Sequence, residues 1–378
     1  MPSVYLADFP EPDRVAGAPH PRETRHLLGH VAEQAEFLSV YLSGRLHHAW
    51  LISGQQGVGK ATLAWRLARF LLATPVPDGG MFDAPPPTTL TVPDDHPVAR
   101  RLAVLSEPGL FLLRRGLTNQ DKAVSQVISV NEVREMKDYF QHKMTDANRR
   151  VAIIDSADDL NPNAANALLK LLEEPPAGVT FILIAHQPHR LLPTIRSRCR
   201  QLRLSPLSPD DLAQALLAAG GEVQPADQTA LAELAGGSVG EAFRLTNLDG
   251  LKIYADLVAL FATLPRMDRP RALALVEKGA ARGAEGRFDL MVTLIDLFLA
   301  RLARAGSLNQ AAPQAAAGEA DLFARLAPTP HAARGWADLA QTLSIRARRG
   351  KAVNLDPAAL LMDMFLKIDE TAGTLAQR

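Results

Sequence analysis

The stretch Ala49-Trp50-Leu51-Ile52-Ser53-Gly54-Gln55-Gln56-Gly57-Val58-Gly59-Lys60-Ala61 decides the fold. Its first five residues are an apolar run suited to a short buried strand. Beyond the glycines, Ala61 to Ala73 carries apolar residues at helical spacing until Thr74-Pro75 stops it. A glycine-rich turn between a strand and a helix is what a phosphate-binding loop needs. The glycines let backbone N–H groups wrap phosphate oxygens, while the helix N-terminus and a lysine add positive potential. Gly54, Gly57, Gly59 and Lys60 supply these features, and seven of the eight motif positions fit. The eighth does not. Ala61 stands where a Ser or Thr hydroxyl would bind Mg²⁺, and Thr62 is turned by about 100° around the helix from it. The pattern argues for the fold more strongly than for retained binding of ATP or ADP.

Working outward, residues 1–205 alternate short apolar runs with helical patterns, as an α/β fold requires. Leu27 to Arg45 reads as a helix, Gly109 to Leu113 as a strand, and Ser129 to Lys143 as a helix whose Ser129 and Glu132 fit a capping box. Val151 to Ile154 and Phe181 to Ile184 suit central parallel strands buried on both faces, with a helix from Asn163 to Glu174 between them, ended by Pro175-Pro176. Residues 75–97 hold seven prolines and four aspartates and read as an exposed loop. Residues 206–250 are two or three small helices divided by Gly220-Gly221 and Gly236-Gly237. Residues 251–378 show repeated amphipathic helical patterns and no strand signal, so an all-helical bundle is the simplest reading. Ala311 to Ala317 reads as a loop or a frayed helix end.

Two further features could carry chemistry. Asp155 ends an apolar strand and could hold Mg²⁺ through water, or it could equally be a buried strand end beside capping aspartates. The next residue, Ser156, cannot take a proton from water at neutral pH, and Asp158 reads as the cap of the following turn. Between 190 and 203 stand five arginines, Arg190, Arg196, Arg198, Arg200 and Arg203, with no acidic residue from His189 to Pro209. Such a run is either a solvated basic face or a source of arginine for a phosphate, which its forked, permanently charged guanidinium suits. Cys199 within it reads as a small buried apolar side chain.

Composition removes several classes. Lys plus Arg and Asp plus Glu both number 41, so no global polybasic signature for nucleic acid exists. That neutrality is a sum of opposites, since residues 1–250 carry 24 basic and 28 acidic side chains and residues 251–378 carry 17 and 13. The longest apolar runs are far too short for a membrane span, and the opening MPSVYLADFPEPDR lacks the apolar core of a secretory signal, which makes the cytoplasm the default expectation. A single cysteine excludes an intrachain disulfide and any cysteine-rich zinc module.

The chain resembles bacterial clamp-loader subunits of the DNA polymerase III holoenzyme. The resemblance rests on Gly44-Arg45-Leu46-His47-His48-Ala49-Trp50, on Asn166 to Pro176 (Asn-Ala-Leu-Leu-Lys-Leu-Leu-Glu-Glu-Pro-Pro) and on Arg196-Ser197-Arg198-Cys199. It implies an AAA+, RecA-like P-loop domain (1–205), a small helical lid (206–250) and an all-α C-terminal collar (251–378). The family divides into motor subunits that hydrolyse ATP and a stator. Ala61, Ser156 and Gly240, the last where motors usually carry an arginine, resemble the stator. The resemblance implies weak or absent ATPase of its own, with the chain a component of a DNA-directed DNA polymerase assembly. Its partners would be gamma/tau and delta subunits in a hetero-pentamer, the sliding clamp, and primed DNA through the complex. Arg198 would be a trans-acting arginine finger. Gly54, Gly57, Gly59, Lys60, Thr62 and Asp155 would form any nucleotide site. No zinc or other metal is expected, because the four-cysteine module common in the family is replaced by the 75–97 loop. Glu173 and Glu174 read as interface residues or as surface charges. Two rival readings are an active motor of the same family and a freestanding AAA+ protein of DNA binding or repair.

Overall fold

The computed structural model describes residues 11–24, 26–74, 85–117, 124–141, 149–281, 286–308 and 313–376. The apolar runs of the first half become parallel strands: β1 (Ala49–Ser53), β2 (Leu110–Arg114), β3 (Arg150–Asp155) and β4 (Val179–Ala185). A fifth, β5 (Arg200–Arg203), follows the one-turn helix α6 (Pro193–Arg196) and falls inside the arginine run that carries no strand signal of its own. They form one sheet in the order β2-β3-β4-β1-β5, with every ladder parallel. β1 and β4 are buried along their whole length.

That burial follows from helices on both faces. Trp50, Ile52, Ile153, Ile182 and Ile184 pack with Phe37 of α1 (Val31–Leu42) and with Leu63 and Leu67 of α2 (Lys60–Ala73). Leu51, Ile154, Phe181 and Leu183 pack on the other side with Met136 of α4 (Val130–Gln141) and Leu168 of α5 (Pro162–Glu173), while α3 (Pro97–Ala103) follows the proline-rich loop. Each fully buried Leu, Ile or Phe contributes roughly 1.5–3 kcal/mol relative to exposure, so the alternation along β1, β3 and β4 is the main stabilising term here. Helix starts use a repeated device. Asn161 and Ser208 cap α5 and α7 (Pro209–Ala218) by accepting from Ala164 N–H and Asp211 N–H, each with proline at the next position. At α4 only the reverse arm of the expected capping box is present, with Ser129 N–H donating to Glu132 at 2.5 Å. Of the 75–97 loop, residues 75–84 lie outside the described residues, and 85–96 contain no helix or strand.

The chain divides into two compact units, Met1–Gly220 with Ser238–Gly240, and Gly221–Gly237 with Glu241–Arg378. Among the described residues the second unit is helical: α8 (Gln228–Ala235), most of α9 (Val239–Asn247), then α10 (Gly250–Phe261), α11 (Arg269–Gly279), α12 (Arg287–Leu308), α13 (Glu319–Leu326), α14 (Pro330–Ala352) and α15 (Pro357–Ala376). Long helices α12 and α14 lie along each other, with Gly306 close to Ala327 and Ala333. Phe261, Phe298, Phe323 and Phe365 form an aromatic core. Beside it is a buried polar knot. Glu319, 1% exposed, accepts from the Tyr254 hydroxyl, from Ala315 N–H at 2.7 Å and from Arg301 Nε and Nη2 at 3.0 and 3.1 Å, and Arg301 also pairs with Glu233 at 2.7 Å. Every charge in it is satisfied, which is what makes burial tolerable.

Candidate nucleotide loop and surface arginine

β1 delivers the chain into the glycine-rich loop at the carboxyl end of the sheet, where open α/β sheets place their ligands. Gly57 adopts φ +79°, and a Cβ there would lie 2.2 Å from Ser238 Oγ. Gly54 adopts φ +150°, and its Cβ would meet the Leu204 carbonyl at 2.5 Å. Both positions therefore need glycine for conformation and for close approach. The loop is closed on itself. Lys60, at the start of α2, is buried and donates from Nζ to the carbonyls of Gly54 at 2.9 Å and Gln55 at 2.6 Å. The Ser238–Gly240 turn lies against it, with Ser238 Oγ donating to the Gln56 carbonyl at 2.9 Å and Gly240 N–H donating to the Gly57 carbonyl at 3.2 Å. A Cβ on Gly240 would be 3.2 Å from Gly57 Cα, so a side chain at position 240 would need the loop to give by a few tenths of an ångström. His30 Nε2, 2.8 Å from the Val58 carbonyl, pins the other flank.

Asp155 at the end of β3 is placed near Lys60. Burial, helped by the Asp13 carboxylate, pushes Asp155 up to about 7 against the pull of Lys60 and Arg114, and burial pushes Lys60 down to about 8 against Asp155 and Asp158. Asp155 Oδ2 is buried and has no hydrogen-bond partner among the described residues. Asp158 does not simply cap its own turn. Its Oδ2 accepts from His186 N–H at 2.5 Å and Gln187 N–H at 3.0 Å, which ties β3 to the end of β4. Burial and Lys60 push His186 down to about 4, against Asp158, so its imidazole is neutral beside the loop. Sequence reasoning missed His186, which carries no local motif. It also missed the segment before α1. Asp13 pairs with Arg114 at 2.6 Å and with His20 at 3.0 Å, and Arg22 pairs with Glu11 at 2.5 Å. His20 Nδ1 accepts from Arg22 N–H at 3.1 Å, so its Nε2 carries the proton toward Asp13.

A nucleotide fits this site in part. Gly54, Gly57 and Gly59 lie in the turn between β1 and α2, where backbone N–H groups could meet a phosphate, and the orphaned Asp155 oxygen could receive a hydrated cation. Ala61 offers the metal no hydroxyl, and Thr62 lies one position further along α2. Lys60 would have to exchange two carbonyls for phosphate oxygens.

Arg198 is elsewhere. β1 and β5 are parallel with Trp50 beside Arg200, so Arg198 stands at the amino-terminal edge of the sheet while the glycine loop stands at the carboxyl edge. Four strand residues, about 13 Å, separate the two edges along β1. The structure brings Gly54, Gly57, Gly59, Lys60 and Asp155 together and keeps Arg198 apart from them. Arg198 Nη2 pairs with Glu173 at 2.8 Å and Nη1 donates to the Thr194 carbonyl at 2.9 Å. The acidic partners missing from the run itself come from distant sequence, since Arg200 pairs with Glu36 at 2.9 Å and covers Trp50. Cys199 is buried and its thiol is pushed up to about 12 by that burial.

No helix among the described residues is long and apolar enough to cross a membrane. A family model described as "DNA polymerase III, delta subunit" matches residues 32–208. The chain is 35% identical over 162 residues to DNA polymerase III subunit delta' of Pseudomonas aeruginosa, covering 42% of this chain and 44% of that one. It is 31% identical over 205 residues to the same subunit of Bacillus subtilis, 54% and 55% of the two chains, and 29% identical over 343 residues to that of Escherichia coli, 88% and 92%. Gamma and tau subunits also match, at 31% to 34% identity. In the first two delta' comparisons the chain spans about half the relative's length. By sequence the chain is thus similar to delta', gamma and tau subunits of DNA polymerase III, and its parallel sheet with the glycine loop after β1 is that of a P-loop α/β fold.

Proposed function

We propose that this chain is the stator of a bacterial clamp loader, corresponding to delta-prime, and that it helps load the sliding clamp onto primed DNA while leaving ATP hydrolysis to neighbouring motors. The observation that carries the reading is the separation of its two phosphate-seeking features. The glycine loop is closed on its own carbonyls, and Arg198 lies at the opposite edge of the sheet, where it cannot serve that loop. An arginine so placed can act only on a phosphate held by another subunit, where it would neutralise charge spreading over the γ-phosphate oxygens.

In this reading the chain has three parts, a P-loop domain, a lid and a helical collar, and takes its place in a hetero-pentamer with gamma/tau and delta subunits. A nucleotide at its own loop, ATP or ADP, would bind through Lys60 and backbone N–H groups and would not be hydrolysed, because Ala61 gives the metal no hydroxyl and Ser156 gives water no base. Turnover of ATP by the purified chain tests this. The expected outcome is no hydrolysis above background, in wild type and in Lys60→Ala alike. Robust turnover abolished by Lys60→Ala would establish a motor instead, and tight, salt-sensitive DNA binding by the free chain would favour a freestanding protein. In a reconstituted loader, Arg198→Ala is expected to lower turnover at the site it faces by roughly 10³-fold. Retention of full clamp- and DNA-stimulated ATPase would refute the finger.

A further inference from the structure

We infer that Glu173 is a positioning residue for Arg198, holding the guanidinium in the orientation in which it meets a neighbour's phosphate. The inference rests on the reading of Arg198 given above. Arg198 has five N–H donors: one on Nη1 bonds the Thr194 carbonyl at 2.9 Å, and Nη2 stands in an ion pair with Glu173 Oε1 at 2.8 Å. These contacts hold both terminal nitrogens of the fork, and its remaining N–H donors are left for an incoming anion. The side chains are 37% and 42% exposed, so the pair is open to a partner surface.

Glu173 is itself held. It is the last residue of α5, and the Pro175-Pro176 pair prevents the helix from continuing. The carbonyl of its neighbour Leu172 accepts from His48 Nε2–H at 3.0 Å, which ties the helix end to the residue preceding β1. Burial and the stacked His47 keep His48 below its ordinary range, so it stays neutral and the bond does not depend on its charging. On the far side of the prolines, Arg150 Nη2 donates to the Ala177 carbonyl at 2.9 Å. The carboxylate is thus presented from a backbone fixed at two points on the sheet. Glu174, one residue on, is exposed and makes no such pair. An arginine side chain loses rotamer freedom when it binds phosphate, and an ion pair made beforehand removes part of that cost from the encounter.

The test uses the full chain in reconstituted clamp loader, with DNA-stimulated ATP turnover as the readout. Glu173→Ala is expected to lower kcat about three- to tenfold with the KM for ATP nearly unchanged. Glu173→Gln keeps the size of the side chain but not its charge, and is expected to recover only part of the loss. It also serves as the isosteric variant should the alanine form assemble poorly. In an Arg198→Ala background Glu173→Ala should change nothing further, because it acts through the arginine. If Glu173→Ala turns over like wild type, or faster, while Arg198→Ala is impaired, the positioning role is wrong and the finger survives. If Arg198→Ala itself is unimpaired, the finger reading fails and this inference with it.

Discussion

At Gly57 a methyl group would have to share space with the Ser238 hydroxyl on a backbone of φ +79°. Gly57→Ala is therefore expected to destabilise the first unit by about 1–3 kcal/mol, measured by urea unfolding, since the methyl also displaces the Ser238 hydroxyl from the Gln56 carbonyl. Asp155 makes a prediction of opposite sign. Its carboxyl is protonated near pH 7 when folded and near pH ~3.9 when unfolded. A pKa raised by folding means the native state binds the proton more tightly, so stability falls as pH rises between those values and is regained below them. Asp155→Asn removes the penalty. It should exceed wild type by roughly 1–3 kcal/mol at pH 8 and match it at pH 4, and a pH-independent difference would rule out Asp155 as the source. Cys199, with its thiol pushed up to about 12, is expected to react with a disulfide reagent at pH 8 only after denaturation.

Among elements, those legible in the sequence were the ones with a local cause. β1, β3 and β4 are runs buried on both faces, and α2, α4 and α5 carry one apolar face each, so pattern alone placed them to within a few residues. β5 was hidden because it buries one side chain, Leu202, among Arg200, Gln201 and Arg203. It is a strand only because β1 offers it a ladder. The eight-residue α13 is short enough for its pattern to pass as loop. The candidate site divides the same way. Glycines and lysine announce themselves at fixed spacing, while the partners that close the loop, Ser238 and Gly240, and the Asp13–Arg114 pair come from over a hundred residues away with no local pattern. Arg198 was visible as one of five arginines. The Arg196-Ser197-Arg198-Cys199 resemblance set it apart, while its pairing with Glu173, which depends on where α5 stops, left no mark in the sequence.

For the molecule as a whole, the two units have separate cores, and substitutions should report on them separately. Arg301→Met leaves Glu319 buried without its cation and is expected to cost the helical unit about 3–5 kcal/mol, seen by calorimetry as a shift of one transition only. Equal shifts across the whole unfolding profile would mean that the units melt together. The placement of β5 has a consequence for the chain before it finds any partner. Among the described residues it pairs with β1 alone, so its other side presents a row of backbone N–H and C=O groups, the kind of edge that recruits strands from other molecules. Arg200 and Arg203 stand exposed along that edge, and a second copy docking there would set like charges side by side. The basic residues of this run therefore oppose the addition of a second chain to the sheet at this edge.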